Sequence, residues 1–295
     1  MDSRFTGAVG PRQAKSRTYE ENLALIKARG HSAKSPDFHS QLYLEFWPKA
    51  VCGIPNSAIR CALFGVSSIR RVYKKRTLIA STSEYQVRFK GETWNQTDLD
   101  TVCAMLDIAI PHPLGTRVEF SVNAFLKSLK RSTSGEQHDQ FKEQVARIIG
   151  GVIEVTSVKQ KKTFMGTLIK SAYRDDESGR YVVVFNDGIL ELYKAGYTLI
   201  DWAERQSLGR DNLAKWLHTF YSSHASPFDY KVETLRRLCG SEMDRLGDFR
   251  KALRASLEKL VSIGAIKSWS IGEFSDLVSV ATHPTTSQRK HLARR

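Results

Sequence analysis

The stretch Arg245-Leu-Gly-Asp-Phe-Arg-Lys-Ala-Leu-Arg-Ala-Ser-Leu-Glu-Lys-Leu-Val261 decides the fold. Leu246, Phe249, Leu253, Leu257, Leu260 and Val261 recur at helical spacing, so one face is apolar and the others are polar. Gly264 stops the helix. Just upstream, Val232, Leu235 and Leu238 form a shorter helix, and Gly240-Ser241 supply the turn between the two. Before that, Leu213, Trp216, Leu217, Phe220 and Tyr221 follow an i, i+3, i+4, i+7, i+8 pattern. Downstream, Lys267 to Ile271 and Leu277 to Ala281 alternate as two strands turned at Gly272. Three helices, a tight turn before the third and a closing hairpin are the sequence outline of a winged helix.

A similar outline lies earlier in the chain. Val118, Phe120 and Val122 alternate, and Phe125, Leu126 and Leu129 suit a short helix. After the turn Ser132-Thr-Ser-Gly135 comes a second helix carrying Phe141, Val145, Ile148 and Ile149. Val152 to Thr156 and Met165 to Ile169 are expected to be the wing strands, joined by the basic tip Lys159-Gln-Lys-Lys162. Val122 matches Val232 and Phe141 matches Phe249, offsets of 110 and 108, which suggests duplication. The expected fold is therefore α+β, with two tandem winged-helix domains related by duplication. Residues 1–40, broken by Gly7, Gly10, Pro11, Gly30 and Pro36, read as a flexible N-terminal arm. The first winged-helix domain is placed at 41–180 and the second at 181–284. A basic, disordered tail is expected at 285–295.

In the first domain, Val72 to Phe89 reads as a further hairpin, and Leu99 to Ile110 as a helix ended by Pro111.

Charge points to the partner. The 295 residues carry a formal net charge of +14. An excess that large suits a polyanion, of which nucleic acid is the commonest. Arg245, Arg250, Lys251, Arg254 and Lys259 lie off the apolar stripe of the last long helix, with Arg250 and Arg254 four apart on one side. An apolar back with long basic donors in front is what a helix in the major groove needs. The matching helix of the first domain offers Gln140, Gln144 and Arg147, residues able to pair with adenine and guanine edges, diluted by Asp139 and Glu143. Lys159, Lys161 and Lys162 are placed for phosphate contacts, which position without reading sequence.

Catalytic chemistry finds little support. The chain lacks a G-x-x-x-x-G-K-[S/T] phosphate loop and a His-x-His pair. Cys52, Cys61, Cys103 and Cys239 form no C-x-x-C and read as reduced, partly buried thiols. His218 and His224 read as structural or surface residues rather than metal ligands, Asp175-Asp-Glu177 as a solvated turn, and Asp98, Asp100 and Asp107 as scattered along a helix. No enzyme activity, metal or cofactor is expected. No apolar run approaches the roughly 20 residues of a membrane span, and no signal-peptide core opens the chain.

Several uncommon strings resemble the TrfA family of plasmid replication initiators. They are Gly53-Ile-Pro-Asn-Ser57 with Ala62-Leu-Phe64, Leu213-Ala-Lys-Trp-Leu-His218, and Phe220-Tyr221 with His224. Pro227-Phe-x-Tyr-Lys-Val232, Leu238-Cys-Gly-Ser241 and Phe249-Arg-x-x-Leu-Arg254 complete the set. The resemblance runs from about residue 42 to 282. It implies a cytoplasmic, plasmid-associated protein that binds direct repeats (iterons) in the double-stranded DNA of the origin. It also implies help in opening adjacent A·T-rich DNA and recruitment of the host replicative helicase and host initiator. A monomer–dimer equilibrium is compatible with this reading. The alternative is a winged-helix transcriptional regulator acting on its own gene, which would favour an inverted repeat and a dimer. One more string, Gln41-x-x-Leu44-x-Phe46, resembles the peptide that docks bacterial proteins on the polymerase sliding clamp. The competing reading makes Leu42, Leu44 and Trp47 the first buried strand of the fold.

Overall fold

In the computed structural model, residues 44, 47, 50–112, 117–175 and 177–293 are described. The expected arm lies outside them, as do Gln41 and Phe46.

Strand β1 (Val51–Pro55) buries Cys52 and Ile54 and passes at Pro55 straight into the short helix α1 (Asn56–Ile59). β2 (Phe64–Gly65) precedes the expected hairpin of β3 (Val72–Ile79) and β4 (Tyr85–Glu92). On β4 the alternation is obeyed: Tyr85, Val87 and Phe89 are buried, while Gln86, Arg88 and Lys90 are exposed. β5 (Trp94–Asn95) pairs in parallel with β2 and leads into α2 (Gln96–Ala109). A capping box starts α2. Asn95 Oδ1 accepts from the N–H groups of Thr97 and Asp98, and the Asp98 carboxylate accepts from the N–H of Asn95.

After β6 (Arg117–Ser121) come α3 (Val122–Ser128) and α4 (Gly135–Gly150). Then follow β7 (Val152–Ser157), β8 (Lys162–Gly166), β9 (Ile169–Asp175) and β10 (Arg180–Phe185). The segment α5 (Leu190–Lys194), β11 (Tyr197–Asp201) and α6 (Trp202–Ser207) crosses back, with β11 antiparallel to β1. The remainder is α7 (Asn212–Ser222), β12 (Tyr230–Lys231), α8 (Val232–Leu238), α9 (Leu246–Ser262), β13 (Ile266–Ile271), β14 (Leu277–Thr282) and α10 (Thr286–Leu292).

The architecture is mixed α+β. In the second half, α7, α8 and α9 pack with a three-stranded antiparallel sheet of order β12-β14-β13, as the sequence outline requires. In the first half, α2, α3 and α4 accompany a sheet of the same topology, β6-β10-β9. Here one expectation fails. The strands read as the first wing, β7 and β8, belong to a different sheet of order β3-β4-β7-β8. Val155 lies opposite Val87 and Ile153 opposite Phe89, so the apolar face of β7 is satisfied by β4. Period-two alternation fixes which side chains face a core; it does not name the partner strand. The first-half counterpart of the hairpin β13–β14 is β9–β10, whose connection has an acidic sequence and carries Gly179 at φ +64. A boundary at 181 would cut β10. The two cores divide later: one runs from Leu44 to Ile200, the other from Leu208 to Val280.

The expected disordered tail is another correction. Thr286–Leu292 is helical, opened by reciprocal bonds. The Thr285 N–H donates to Gln288 Oε1 (2.8 Å), and the Gln288 N–H donates to Thr285 Oγ1 (3.2 Å). Gln288 Nε2 also donates to the carbonyl of Ser222, fastening this helix to the end of α7.

Buried polar groups join the two halves. The Arg205 side chain is 0% exposed. Its Nε donates to Asp100 Oδ1 (2.7 Å), Nη1 to the Lys215 carbonyl (3.2 Å), and Nη2 to the carbonyl and Oε1 of Gln96. Lys215 Nζ reaches the other oxygen of Asp100 at 2.6 Å. One carboxylate on α2 is thus shared by two cations from the other half. Asp98, two residues earlier and so on the other side of α2, is 0% exposed and takes Arg70 and Arg147. Two of the three aspartates that looked scattered in the sequence, Asp98 and Asp100, are ion-pair hubs, and Asp98 is fully buried. Close backbone approach completes the junction: Val66 N–H donates to the Cys239 carbonyl, and Gly240 (φ +64) meets Ala62 where a Cβ would come within 3.3 Å.

The histidines are structural, as expected. His218 Nε2 lies 2.9 Å from Glu204 Oε2. His224 is buried, with Nδ1 2.7 Å from the Phe220 carbonyl and its ring packed on Phe220. Burial, with Arg60 adding to it, pushes its pKa down to about 4. The unfolded imidazole takes a proton below about pH 6.5, whereas the folded one resists until about 4. The unfolded state therefore binds more protons in that window, and stability falls as the pH drops through it, by up to about 3 kcal/mol. His224→Phe keeps an aromatic ring against Phe220 and removes the titration. Between about pH 7 and 4.5 its melting temperature is expected to fall less than the parent's; parallel curves refute this.

Candidate nucleic-acid interface

The helix–turn–helix of the second half is built from α8 and α9. Gly240 takes a left-handed conformation, which glycine adopts without strain. Arg236 fixes the turn by donating from Nη1 to the carbonyls of Met243 (2.7 Å) and Asp244 (3.1 Å). On α9, Phe249, Leu253, Leu257 and Leu260 are fully buried among the side chains of α7 and the sheet. Asp248, Lys251, Arg254, Ala255 and Glu258 face outward.

The five basic candidates of this helix separate into two groups. Arg245, at the N-cap position, with Lys251 and Arg254, is exposed, and none of the three makes an ion pair. Arg250 is committed: Nε and Nη2 donate to the two carboxylate oxygens of Asp276, each at 3.0 Å. This bidentate pair ties α9 to the wing turn. Lys259 turns the other way, donating to the Leu208 carbonyl at 3.0 Å with Asp211 3.7 Å off. Arg250 and Lys259 are therefore engaged by groups of their own domain, unlike Arg245, Lys251 and Arg254.

The first-half candidates fare worse. Gln144 is buried; its Oε1 accepts from Arg131 (2.7 Å) and Thr101 (3.3 Å). Arg147 is bound to Glu92 (2.8 Å) and Asp98 (2.9 Å). Both sit beside the apolar stripe of α4 and were drawn inward by Asp98 and its neighbours. Gln140 is exposed, but bonds to Glu136 and Gln137 on its own helix. The outward face of α4 also carries Asp139, paired with Lys142, and Glu143, so it is acidic. Lys159, Lys161 and Lys162 are exposed at the β7–β8 tip, with Lys161 at φ 53. They stand at the Tyr85–Ser157 end of the four-stranded sheet rather than on a wing, and exposed Lys74, Lys75 and Lys90 lie toward the other end of that sheet.

Of the proposed clamp peptide only Leu44 is described. It is 4% exposed and lies with Trp47 in the first core. That is the buried reading; a docking peptide would have to draw Leu44 out of the core. The four cysteines are free and buried, and burial pushes Cys61 and Cys239 up to about 12, which keeps them as thiols. Among the described residues no group of three His, Cys, Asp or Glu side chains could hold a metal ion, and no helix is long and apolar enough to cross a membrane.

Sequence reasoning missed Asp276, Arg236 and the acidic connection of β9–β10. An Asp four residues after a wing-opening glycine was the available signal for Asp276.

Comparison with known proteins places these elements in a family. The model described as "TrfA protein" matches residues 8–280, almost the whole chain. The chain belongs to the TrfA family. A curated relative, the plasmid replication initiator protein TrfA of Escherichia coli, is 22% identical over 275 residues, covering 90% of this chain and 71% of that one. Two solved structures are also similar. Domains 2–3 of RctB share 14% identity over 69% of this chain and 83% of theirs, with a TM-score of 0.48. The Pi initiator protein in complex with iteron DNA shares 14% over 59% and 84%, with a TM-score of 0.44. The TrfA resemblance read from Gly53–Ser57, Leu213–His218 and Phe249–Arg254 is thus borne out by residues inside the matched span.

Proposed function

We propose that this TrfA-family chain is a plasmid replication initiator that binds direct repeats at an origin, and that the second winged helix reads the bases. The observation that carries the reading is the outward face of α9. Lys251 and Arg254 are exposed and unpaired on a helix whose apolar back is fully buried and whose preceding turn is pinned by Arg236. Arg245 at its N-terminus adds a phosphate contact. Lys159, Lys161 and Lys162 add sequence-independent attraction from the four-stranded sheet. The matching sheet orders of the two halves support duplication. Recruitment of a host helicase and host initiator, and opening of neighbouring A·T-rich DNA, are part of this proposal. The curated TrfA relative, named a plasmid replication initiator protein, supports the initiator reading itself.

Footprinting of the DNA flanking the gene distinguishes this from an autorepressor. Several direct repeats protected side by side are expected; a single inverted repeat overturns the initiator reading. Arg254→Ala tests base reading. It touches no packing, so its loss is expected to be about 1–3 kcal/mol on the repeat and much less on scrambled duplex. Lys161→Ala should weaken both duplexes alike. Equal losses on both duplexes for Arg254→Ala would reduce this arginine to a phosphate contact.

A further inference from the structure

At the turn of the second wing, Phe274 is 98% exposed. Among the described residues no other large apolar side chain is as exposed; Phe228 follows at 71%. The turn that carries it is rigidly built. The Gly272 N–H donates to the Leu277 carbonyl (2.9 Å) and the Asp276 N–H to the Gly272 carbonyl (3.0 Å). Asp276 takes φ 55, a conformation that aspartate tolerates better than most side chains. Its carboxylate receives both nitrogens of Arg250, so the wing turn is braced against α9 two residues from the ring. That brace withdraws a long basic donor from the very helix that needs donors for DNA. What it gains is a fixed backbone position for the residue that carries the exposed phenyl ring.

We propose that Phe274 is an apolar wedge that enters the minor groove and kinks the DNA to which α9 is bound. This deepens the repeat-binding reading and rests on it. With α9 in the major groove, the adjoining groove across one phosphate strand is the minor groove. That groove is about 6 Å wide and 7.5 Å deep, enough for a ring entering edge first. Inserted apolar side chains unstack a base step and bend the duplex by roughly 20–90°. A turn whose backbone is already fixed loses less freedom on insertion than a flexible tip would. An unstacked step next to the repeats also lowers the cost of separating strands there. Glu273, beside the ring, is exposed and must point away from the phosphates when the ring enters.

The test is the bend angle of a bound duplex carrying the direct repeats next to the gene, read as end-to-end energy transfer at saturating protein. The unmodified chain, Phe274→Ala, Phe274→Leu and Arg254→Ala are compared. Phe274 buries nothing, so all four are expected to melt alike. Phe274→Ala is expected to bind within about tenfold of the parent, yet to lose at least half of the bend; Phe274→Leu should retain most of it. Arg254→Ala should bind more weakly but bend normally once saturated. A full bend in Phe274→Ala overturns the wedge and leaves repeat binding standing. Failure of the unmodified chain to bind direct repeats at all overturns both.

Discussion

Replacing Arg205 by methionine is expected to cost the fold about 3–5 kcal/mol, the usual penalty for breaking a buried ion pair from one side. The guanidinium is wholly enclosed, and it answers Asp100, the side chain and carbonyl of Gln96, and the carbonyl of Lys215 at once. Methionine fills much of the volume but supplies no donor. Gln96 Oε1 then loses the partner that Arg205 gave it inside the protein, and Asp100 keeps only Lys215. For a chain of this size each kcal/mol moves the melting temperature by about 2–4 °C, so a fall of roughly 10 °C is expected by calorimetry. A shift under about 2 °C would show that the network is solvated and energetically idle. The same residue, on α6, joins α2 of the first half to α7 of the second. Arg205→Met should therefore also weaken repeat binding more than binding by either half would predict.

The sequence disclosed most where one element's pattern was sufficient in itself. The stripe from Leu246 to Val261 gave α9 within a residue at each end, and the alternation after it gave β13 and β14. It disclosed least where the answer depended on a distant partner. β7 alternates like a wing strand, and only its pairing with β4 shows that it is not one. The β9–β10 hairpin went unread because its connection is acidic in sequence, the opposite of what a DNA-facing turn suggests.

The same limit governed the site residues. Helical geometry shows that Gln144 and Arg147 share a flank of α4, but not that Asp98 waits beneath them. Arg250 and Lys259 have the chemistry of DNA contacts and the surroundings of braces. A long cation next to an apolar stripe has two uses, and the choice lies with carboxylates that are far away in sequence. Asp276 is 26 residues from Arg250, and Asp211 is 48 from Lys259. Arg245, Lys251 and Arg254 escaped capture because nothing acidic folds over that face.

This sorting of cations sets the salt dependence of binding, where the largest effect is expected. Only charges that neutralise phosphate release condensed counterions, so a cation already paired inside the protein contributes little. Among the described residues from β12 to β14, the helix–turn–helix and its hairpin, the exposed basic side chains without an ion pair are Lys231, Arg237, Arg245, Lys251, Arg254 and Lys267. If about six phosphates are neutralised, the logarithm of affinity should fall with a slope near −5 against the logarithm of salt concentration. Between 50 and 200 mM salt that is a loss of about three powers of ten. The measurement is equilibrium binding to one repeat duplex across that range. Removing Lys251 should make the slope shallower by about one, because it takes away one phosphate contact. Removing Lys259 should leave the slope unchanged, because that ammonium is held by the Leu208 carbonyl and Asp211. A flat dependence for the parent chain would dispose of the phosphate-backed interface altogether. Equal changes of slope for Lys251→Ala and Lys259→Ala would show that the outward face of α9 is not where the DNA lies.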